Sequence, residues 1–380
     1  MKILLVNYEY LGQGGGAGQQ MYYLAQALKD LKHDVSLMIG WDNKTGTPKL
    51  IDGVTMYIVK HKRKNVQLST PTGMALFVLR GLLCINRLTR GNNYDIIQFY
   101  FSVPTGILSY GIHGNIPYII SLRGMDIPGL QKDRNRGLSI LTSALNKRIS
   151  RKAAAVICNS NESAIMYNRF IPDISIKVIH NTVSPQIKYK KTYSDSVTSF
   201  ITIGRLIPWK RIDLLISAVV SLRSKYPEIT LDIYGQGYQY YELQNHILKK
   251  NAGEYIKLKG YIDREQLLGT LHTYDAFVFA STGDSCPNVL IEAMASGLPI
   301  VAARSGGAID IVEEGITGLF SIPGDLDDTI KKIEYCIKNP DIMKKYGLNG
   351  RKRVEERYSV EGMGKQHIDE YKKIVVPESE

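Results

Sequence analysis

Apolar and polar positions follow two distinct periods along the chain. Short apolar runs read as strands covered on both faces, and longer stretches with apolar residues every three or four positions read as helices. In the first half the strand pattern falls on residues 2–7, 34–40, 54–59, 95–99, 117–122, 154–159 and 176–180. Helical pattern falls there on 18–31, 74–90, 137–152 and 160–169. The second half restarts the series, with strands at 199–203, 229–234, 256–259, 276–280, 299–303 and 318–321. Its helices fall on 211–225, 239–250, 264–273, 288–296, 307–314, 326–338 and 341–357. Strands alternating with helices predict parallel sheets, hence an α/β fold of two doubly wound, Rossmann-like domains. Residues 185–196 separate the two series and carry no apolar period. The expected division is a domain over 1–186, a linker over 187–197 and a second domain over 198–358. In such sheets ligands sit beyond the carboxyl ends of strands, so two of them predict a cleft where the domains face each other.

The length of 380 residues suits two such domains. Cys84, Cys158, Cys286 and Cys336 are far apart in sequence, which argues against a disulfide scaffold or a zinc site and for a reducing cytoplasm. Residues 2–7 read as a first strand rather than a leader. The longest apolar stretch, Gly73 to Ile85, is interrupted by Arg80 and falls short of an unbroken membrane span. Charge is uneven: residues 1–190 hold 24 basic and 10 acidic side chains, and residues 191–380 hold 24 and 26. The basic excess gathers around Lys60, Lys62, Arg63, Lys64, Arg80, Arg87 and Arg90, and around Lys132, Arg134, Arg136, Lys147, Arg148, Arg151 and Lys152. Solvated helix faces are the plain reading. Between 73 and 90, however, the basic residues interleave with leucines, as in a helix lying on an anionic membrane surface. No nucleic-acid motif accompanies the charge, so nucleic acid is not an expected partner.

Two regions carry candidate chemistry. The first is Gly12 to Gly18, a glycine-rich loop between a strand and a helix, where Gly15 and Gly16 let backbone approach a phosphate or sugar. Gly12, Gly14 and Ala17 also fit a dinucleotide fingerprint, with Asp42 as the acidic residue after strand two. The second region lies in the second domain. Arg205 and Lys210 project from the end of one strand, where two cations can neutralise a diphosphate leaving group. Asp284 precedes a short helix and Glu292 lies one turn into it, each placed to accept from sugar hydroxyls. Pro287 suits the first helical position, with Asp284 or Ser285 as cap. The amides of Asn288, Val289 and Leu290 are then placed to bind phosphate. Taken singly, these are ordinary caps and surface charges; together they occupy one sheet edge.

Taken together, these elements resemble glycosyltransferase family 4, the retaining nucleotide-sugar transferases of GT-B fold. Gly204-Arg205-Leu206 with Lys210 looks like the family's Gly-Arg-Leu-x-x-x-Lys element. Asp284-x7-Glu292 looks like its Glu-x7-Glu element, Ser305-Gly306-Gly307 like its following Gly-Gly turn, and Gly15-Gly16-Ala17 like its amino-terminal loop. The resemblance implies that Arg205 and Lys210 hold the donor diphosphate, that Glu292 binds the ribose and that Asp284 contacts the transferred sugar. It places Tyr261 and Ile262 near the nucleobase, and Gly16 against the sugar-phosphate. It implies no cofactor and no metal; Asp325-x-Asp327 is set aside because it precedes a late helix. It also returns a helix near 359–375 to the first domain. Three positions depart from the pattern. Asp284 stands where Glu is usual, Arg123-Gly124-Met125-Asp126 stands where His-Gly-x-Asp is common, and residues 95–100 lack the usual histidines. An arginine cannot serve as a base near neutral pH, so Arg123 and Asp126 are read as acceptor-side or sugar-side contacts.

The expectation is therefore a retaining, metal-independent hexosyltransferase. It would move sugar from a nucleotide-sugar, UDP preferred, to a glycan or lipid-linked acceptor on the inner face of the cell membrane, in surface-polysaccharide or glycan assembly. The alternatives are an inactive homologue serving as a partner subunit, a nicotinamide-dependent oxidoreductase, and a nucleotide-sugar isomerase.

Overall fold

A computed structural model describes residues 1–42, 46–64, 69–129, 136–184 and 187–375. Pro185 and Gln186, at the start of the stretch between the two series, and Lys132 and Arg134 of the basic run lie outside the described residues. The chain divides into two compact units: Met1–Thr182 with the C-terminal segment from Val360, and Val183–Ser359.

In the first unit β1 (Lys2–Asn7), α1 (Gly16–Asp30), β2 (Asp34–Trp41), β3 (Thr55–Lys60), α2 (Pro71–Gly91) and β4 (Ile96–Tyr100) come first. A 3-10 helix (Thr105–Gly111), β5 (Tyr118–Ser121), α3 (Arg136–Lys152), β6 (Ala155–Cys158), α4 (Asn161–Phe170) and β7 (Ile176–Val178) follow. The sheet order is β3-β2-β1-β4-β5-β6-β7, and every pairing is parallel. Ile3 to Asn7 are buried without a break, as a strand with helices on both faces requires. Helix α2 starts at Pro71, and the Thr70 hydroxyl accepts the Gly73 amide at 2.9 Å. It is 21 residues long and, by length and composition, apolar enough to cross a membrane. One face, with Phe77, Ile85 and Leu88, is packed into the unit's core; Leu79 and Leu83 on the other are 64% and 77% exposed.

The second unit contains β8 (Ser199–Ile203), α5 (Ile212–Arg223), β9 (Thr230–Tyr234), α6 (Tyr240–Lys249), β10 (Ile256–Gly260), α7 (Arg264–Thr270) and β11 (Ala276–Phe279). After these come α8 (Asn288–Ala295), β12 (Ile300–Ala303), α9 (Ala308–Ile311), β13 (Gly318–Ser321), α10 (Leu326–Lys338) and α11 (Pro340–Arg357). The order is β10-β9-β8-β11-β12-β13, again wholly parallel. Alternate residues of β8 serve opposite faces: Phe200 packs with Leu215 and Val278, Ile201 with Leu290 and Met294. The segment before β8 is anchored in this unit, because buried Lys190 donates to the Tyr274 carbonyl at 2.7 Å and pairs with Asp275 at 2.9 Å. The last helix, α12 (Val360–Val375), belongs to the first unit. Tyr371 on it donates to Gln98 of β4 at 2.5 Å, and Gly364 lets it approach Ala27 of α1.

Both sheets therefore reverse strand order beside their first strand, between β1 and β4 and between β8 and β11. A doubly wound sheet opens a ligand crevice at such a switch point. Two elements differ from the sequence reading. The helix expected over 307–314 stops at Ile311, because Val312 turns to extended backbone ahead of the left-handed Gly315. The 3-10 helix at Thr105–Gly111 was not predicted; its two glycines leave no helical apolar period.

Candidate active site

The carboxyl edge of the second sheet gathers most of the residues singled out from sequence. At its switch point the loop after β8 meets the loop after β11. Lys210 Nζ lies 2.7 Å from Asp284 Oδ2. Lys210 also stands over the Phe279 ring at 5.2 Å, and Arg205 over the Trp209 ring at 5.8 Å. The Thr282 amide donates to the Trp209 carbonyl at 2.8 Å, which ties the two loops together. Burial pushes the Asp284 carboxyl upward, but the charges of Lys210 and Arg205 and the Lys210 hydrogen bond outweigh it, and its pKa lies below the ordinary carboxylate value. At pH 7 the edge thus holds an ionised carboxylate between cations.

Backbone contacts hold this edge at close range. Leu206 N–H donates to Gln236 O at 2.9 Å, and a Cβ on Gly237 would lie 2.1 Å from the Leu206 carbonyl. The Gly-Gly turn acts on the Asp284 loop in the same way. Gly307 N–H donates to Asp284 O at 2.9 Å, and a Cβ at Gly307 would lie 1.9 Å from Ser285 O. Those glycines are needed for backbone to pack on backbone.

Helix α8 corrects one local expectation. Pro287 is its N-cap, not its first helical residue, so neither Asp284 nor Ser285 occupies the cap position. The Leu290 amide, read as a phosphate ligand, donates to Pro287 O at 3.0 Å and is engaged by the chain itself. Asn288 and Val289 begin the helix beside the Asp284 loop. Glu292 is not a surface acid; it is 1% exposed, and its carboxylate pairs with the Arg264 guanidinium. Arg264 was not singled out from sequence, since an arginine opening a helix after a polar loop carries no pattern that marks a partner. Tyr261, exposed, and Ile262, half-buried, follow the left-handed Gly260 on that same loop, which Gly235 N–H bonds at Gly260 O, 2.8 Å. Asp325 caps α10 by accepting the Asp328 amide at 2.9 Å, and among the described residues no group of three His, Cys, Asp or Glu is placed to hold a metal.

At the carboxyl edge of the first sheet the glycine-rich loop is arranged around a side chain of its own. The Glu9 carboxylate accepts the Gly15 amide at 2.9 Å, and a Cβ on Gly14 would lie 2.6 Å from Glu9. Gln13 clasps the Asp42 backbone through both amide atoms, at 2.6 and 2.9 Å. Asp42 itself accepts the Arg63 amide at 2.9 Å, which makes it a loop anchor. Gly16 opens α1. In the turn after β5 the Arg123 guanidinium reaches Asn181 at 2.7 Å and lies 4.6 Å over the Tyr100 ring. Asp126 is buried and accepts the Ser102 and Arg123 amides, each at 3.0 Å. Burial raises its pKa against those two hydrogen bonds. Arg123 and Asp126 thus share one turn, with the carboxylate organising backbone. Nothing in the glycine spacing announced Glu9.

The chain resembles known proteins along nearly its whole length. At residues 14–187 it matches the family model described as Glycosyltransferase Family 4, and at 185–353 the model described as Glycosyl transferases group 1. An uncharacterized glycosyltransferase of Methanocaldococcus jannaschii is 23% identical over 365 residues, 95% of each chain. The phosphatidylinositol N-acetylglucosaminyltransferase GPI3 subunit of Saccharomyces cerevisiae is 25% identical over 318 residues, 80% of this chain and 68% of that one. Among solved structures, Anabaena HepE in complex with UDP and glucose superposes with a TM-score of 0.77 at 21% identity, covering 97% of this chain and 99% of that one. With one family model on each half of the chain and a parallel, doubly wound sheet in each unit, the chain is a glycosyltransferase of GT-B fold and belongs to family 4.

Proposed function

We propose that this glycosyltransferase transfers a hexose from a UDP-sugar to a glycan or lipid-linked acceptor at an anionic membrane surface, with retention at the anomeric carbon. The observation that carries the donor reading is the Lys210–Asp284 pair at the β8/β11 switch point, with Arg205 beside it and buried Glu292 on the next helix. In this reading Arg205 and Lys210 hold the diphosphate, aided by the amides of Asn288 and Val289. Glu292 accepts from the ribose, Tyr261 and Ile262 flank the base, and Asp284 accepts from a hydroxyl of the transferred sugar. Gly15 and Gly16 are assigned to the sugar-phosphate, and Arg123 with its turn at Asp126 to the acceptor side. The HepE complex with UDP and glucose supports the choice of base and sugar.

The chemistry follows from the charges. The bond from the anomeric carbon to the phosphate oxygen breaks, its electron pair stays on the diphosphate, and Arg205 and Lys210 stabilise that charge. The acceptor oxygen bonds the same face of the carbon, and its proton passes to the departing phosphate. Asp284 is tied to Lys210 and is read as a sugar contact, not a nucleophile. Two cations supply the charge that would otherwise fall to a metal, which makes metal-independent transfer the expectation.

The membrane reading rests on α2. Its buried face is committed to the core, so the helix suits lying on a bilayer, not crossing it. Leu79 and Leu83 would enter the interface, with exposed Arg80, Arg87 and Arg90 among the headgroups. Beside it Tyr110 is flanked by Arg148 and Lys152, each 5.9 Å from its ring. The relative named for transfer to phosphatidylinositol supports a lipid-linked acceptor; a place on the inner membrane face is part of the same proposal. The test of transfer is release of UDP from UDP-glucose and UDP-N-acetylglucosamine with a membrane extract, with the product anomer read by NMR. An α-linked product supports the reading. A β-linked product contradicts retention, and nucleotide binding without turnover favours the partner-subunit alternative. On phosphatidylglycerol vesicles, Leu79→Glu with Leu83→Glu should cut binding about tenfold or more and leave UDP affinity unchanged. Unchanged vesicle binding would remove α2 from the membrane reading.

A further inference from the structure

We infer that Arg264 is a positioning residue for the donor ribose: it holds Glu292 in place and makes nucleotide affinity depend on the ribose hydroxyls. The inference rests on the reading of Glu292 as the ribose ligand. Glu292 lies in the second turn of α8 and is buried, and a buried carboxylate is costly unless a charge and hydrogen bonds compensate it. Among the described residues its ion partner is Arg264, whose Nη2 meets one carboxylate oxygen, Oε1. Oε2 is then the oxygen assigned to the ribose.

Arg264 comes from a different part of the sheet edge. It is the first residue of α7, and Asp263 fixes that helix start by accepting the Glu265 amide at 2.8 Å. The loop ahead of it carries Tyr261 and Ile262, the pair assigned to the base. One guanidinium therefore joins the base-side loop to the ribose carboxylate. A nucleoside spans both, so the two contacts form as a unit. The Arg264 side chain remains about a third exposed (32%), so its truncation opens no core cavity. A lysine would keep the charge and lose the planar fork.

The experiment is calorimetric binding of UDP and of 2′,3′-dideoxy-UDP to the full chain and its variants. The wild type should prefer UDP by about tenfold or more, the scale of one hydrogen bond to a charged group. Arg264→Ala should weaken UDP about tenfold and leave the dideoxy analogue within about twofold, so that the preference collapses. Donor KM should rise while kcat at saturation stays within about threefold, and Arg264→Lys should restore part of the preference. Equal loss for both ligands would make Arg264 a merely structural support and overturn the inference. No change for either would overturn it as well. A wild type with no preference, or a Glu292→Gln variant that keeps it, would instead overturn the ribose reading on which the inference stands.

Discussion

Lys210 and Asp284 lie 74 positions apart in sequence and 2.7 Å apart in space. The pair gives Lys210 a part beyond the diphosphate contact proposed for it, since removing it leaves Asp284 partly buried without its ion partner. Lys210→Ala should lower transfer about 10²-fold or more, the cost of one lost donor at a developing oxyanion. Asp284→Asn should recover part of the stability that Lys210→Ala loses, and a double-mutant cycle on thermal unfolding measures this. Strict additivity would show the two residues to be uncoupled. The depressed pKa of Asp284 fixes the sign with pH. The pair's contribution is present above the ordinary carboxylate range and is lost as pH falls through the lower folded value. Arg205, Lys210, Asp284 and Glu292 stood out in sequence as candidates because each sits at a strand end or helix start in a dense local pattern. It hid Glu9 and Arg264, whose roles depend on partners that folding supplies across loops.

At the scale of elements, strands were the most legible feature, because a parallel strand covered on both faces is an apolar run with few alternatives. Helix starts were less legible: α2 begins at Pro71 behind the Thr70 cap, ahead of the expected residue 74. They failed at Pro287, where proline occupies the cap itself. The glycines were legible as turns but not in purpose. Gly14 admits the Glu9 side chain, and Gly307 admits the Ser285 carbonyl. Gly307→Ala should therefore displace the Asp284 loop, destabilise the second unit by about 1–3 kcal/mol and weaken UDP binding. Thermal unfolding with and without UDP checks this, and a variant with wild-type values for both would show that the turn does not hold the loop. Helix α12 and its return to the first domain were expected from the resemblance; buried His367 and Tyr371, which help seat it, carry no local signal for a distant partner.

At the scale of the molecule, each unit has its own core, and the first unit carries a pH liability that follows from its histidines. Burial lowers the His367 pKa to about 3, with Arg123 adding to the effect against a hydrogen bond to Met363 O. Burial and Arg63 lower His61 to about 4. Both pKa values are depressed, so both contributions are complete above the unfolded histidine value near ~6.5 and shrink as pH falls toward the folded values. Stability of the first unit should fall by up to about 1.4 kcal/mol per pH unit per histidine below ~6.5. His367→Leu should flatten that slope in denaturant unfolding between about pH 6.5 and 4; an unchanged slope would show that His367 is not the group responsible. The second unit carries the donor claim, and calorimetry of UDP against wild type and Lys210→Ala tests it most directly. A single UDP site is expected in the wild type, with a loss of at least about tenfold in Lys210→Ala and weaker binding of GDP and ADP. UDP affinity unchanged by Lys210→Ala would place the donor diphosphate away from the β8/β11 edge and contradict the account.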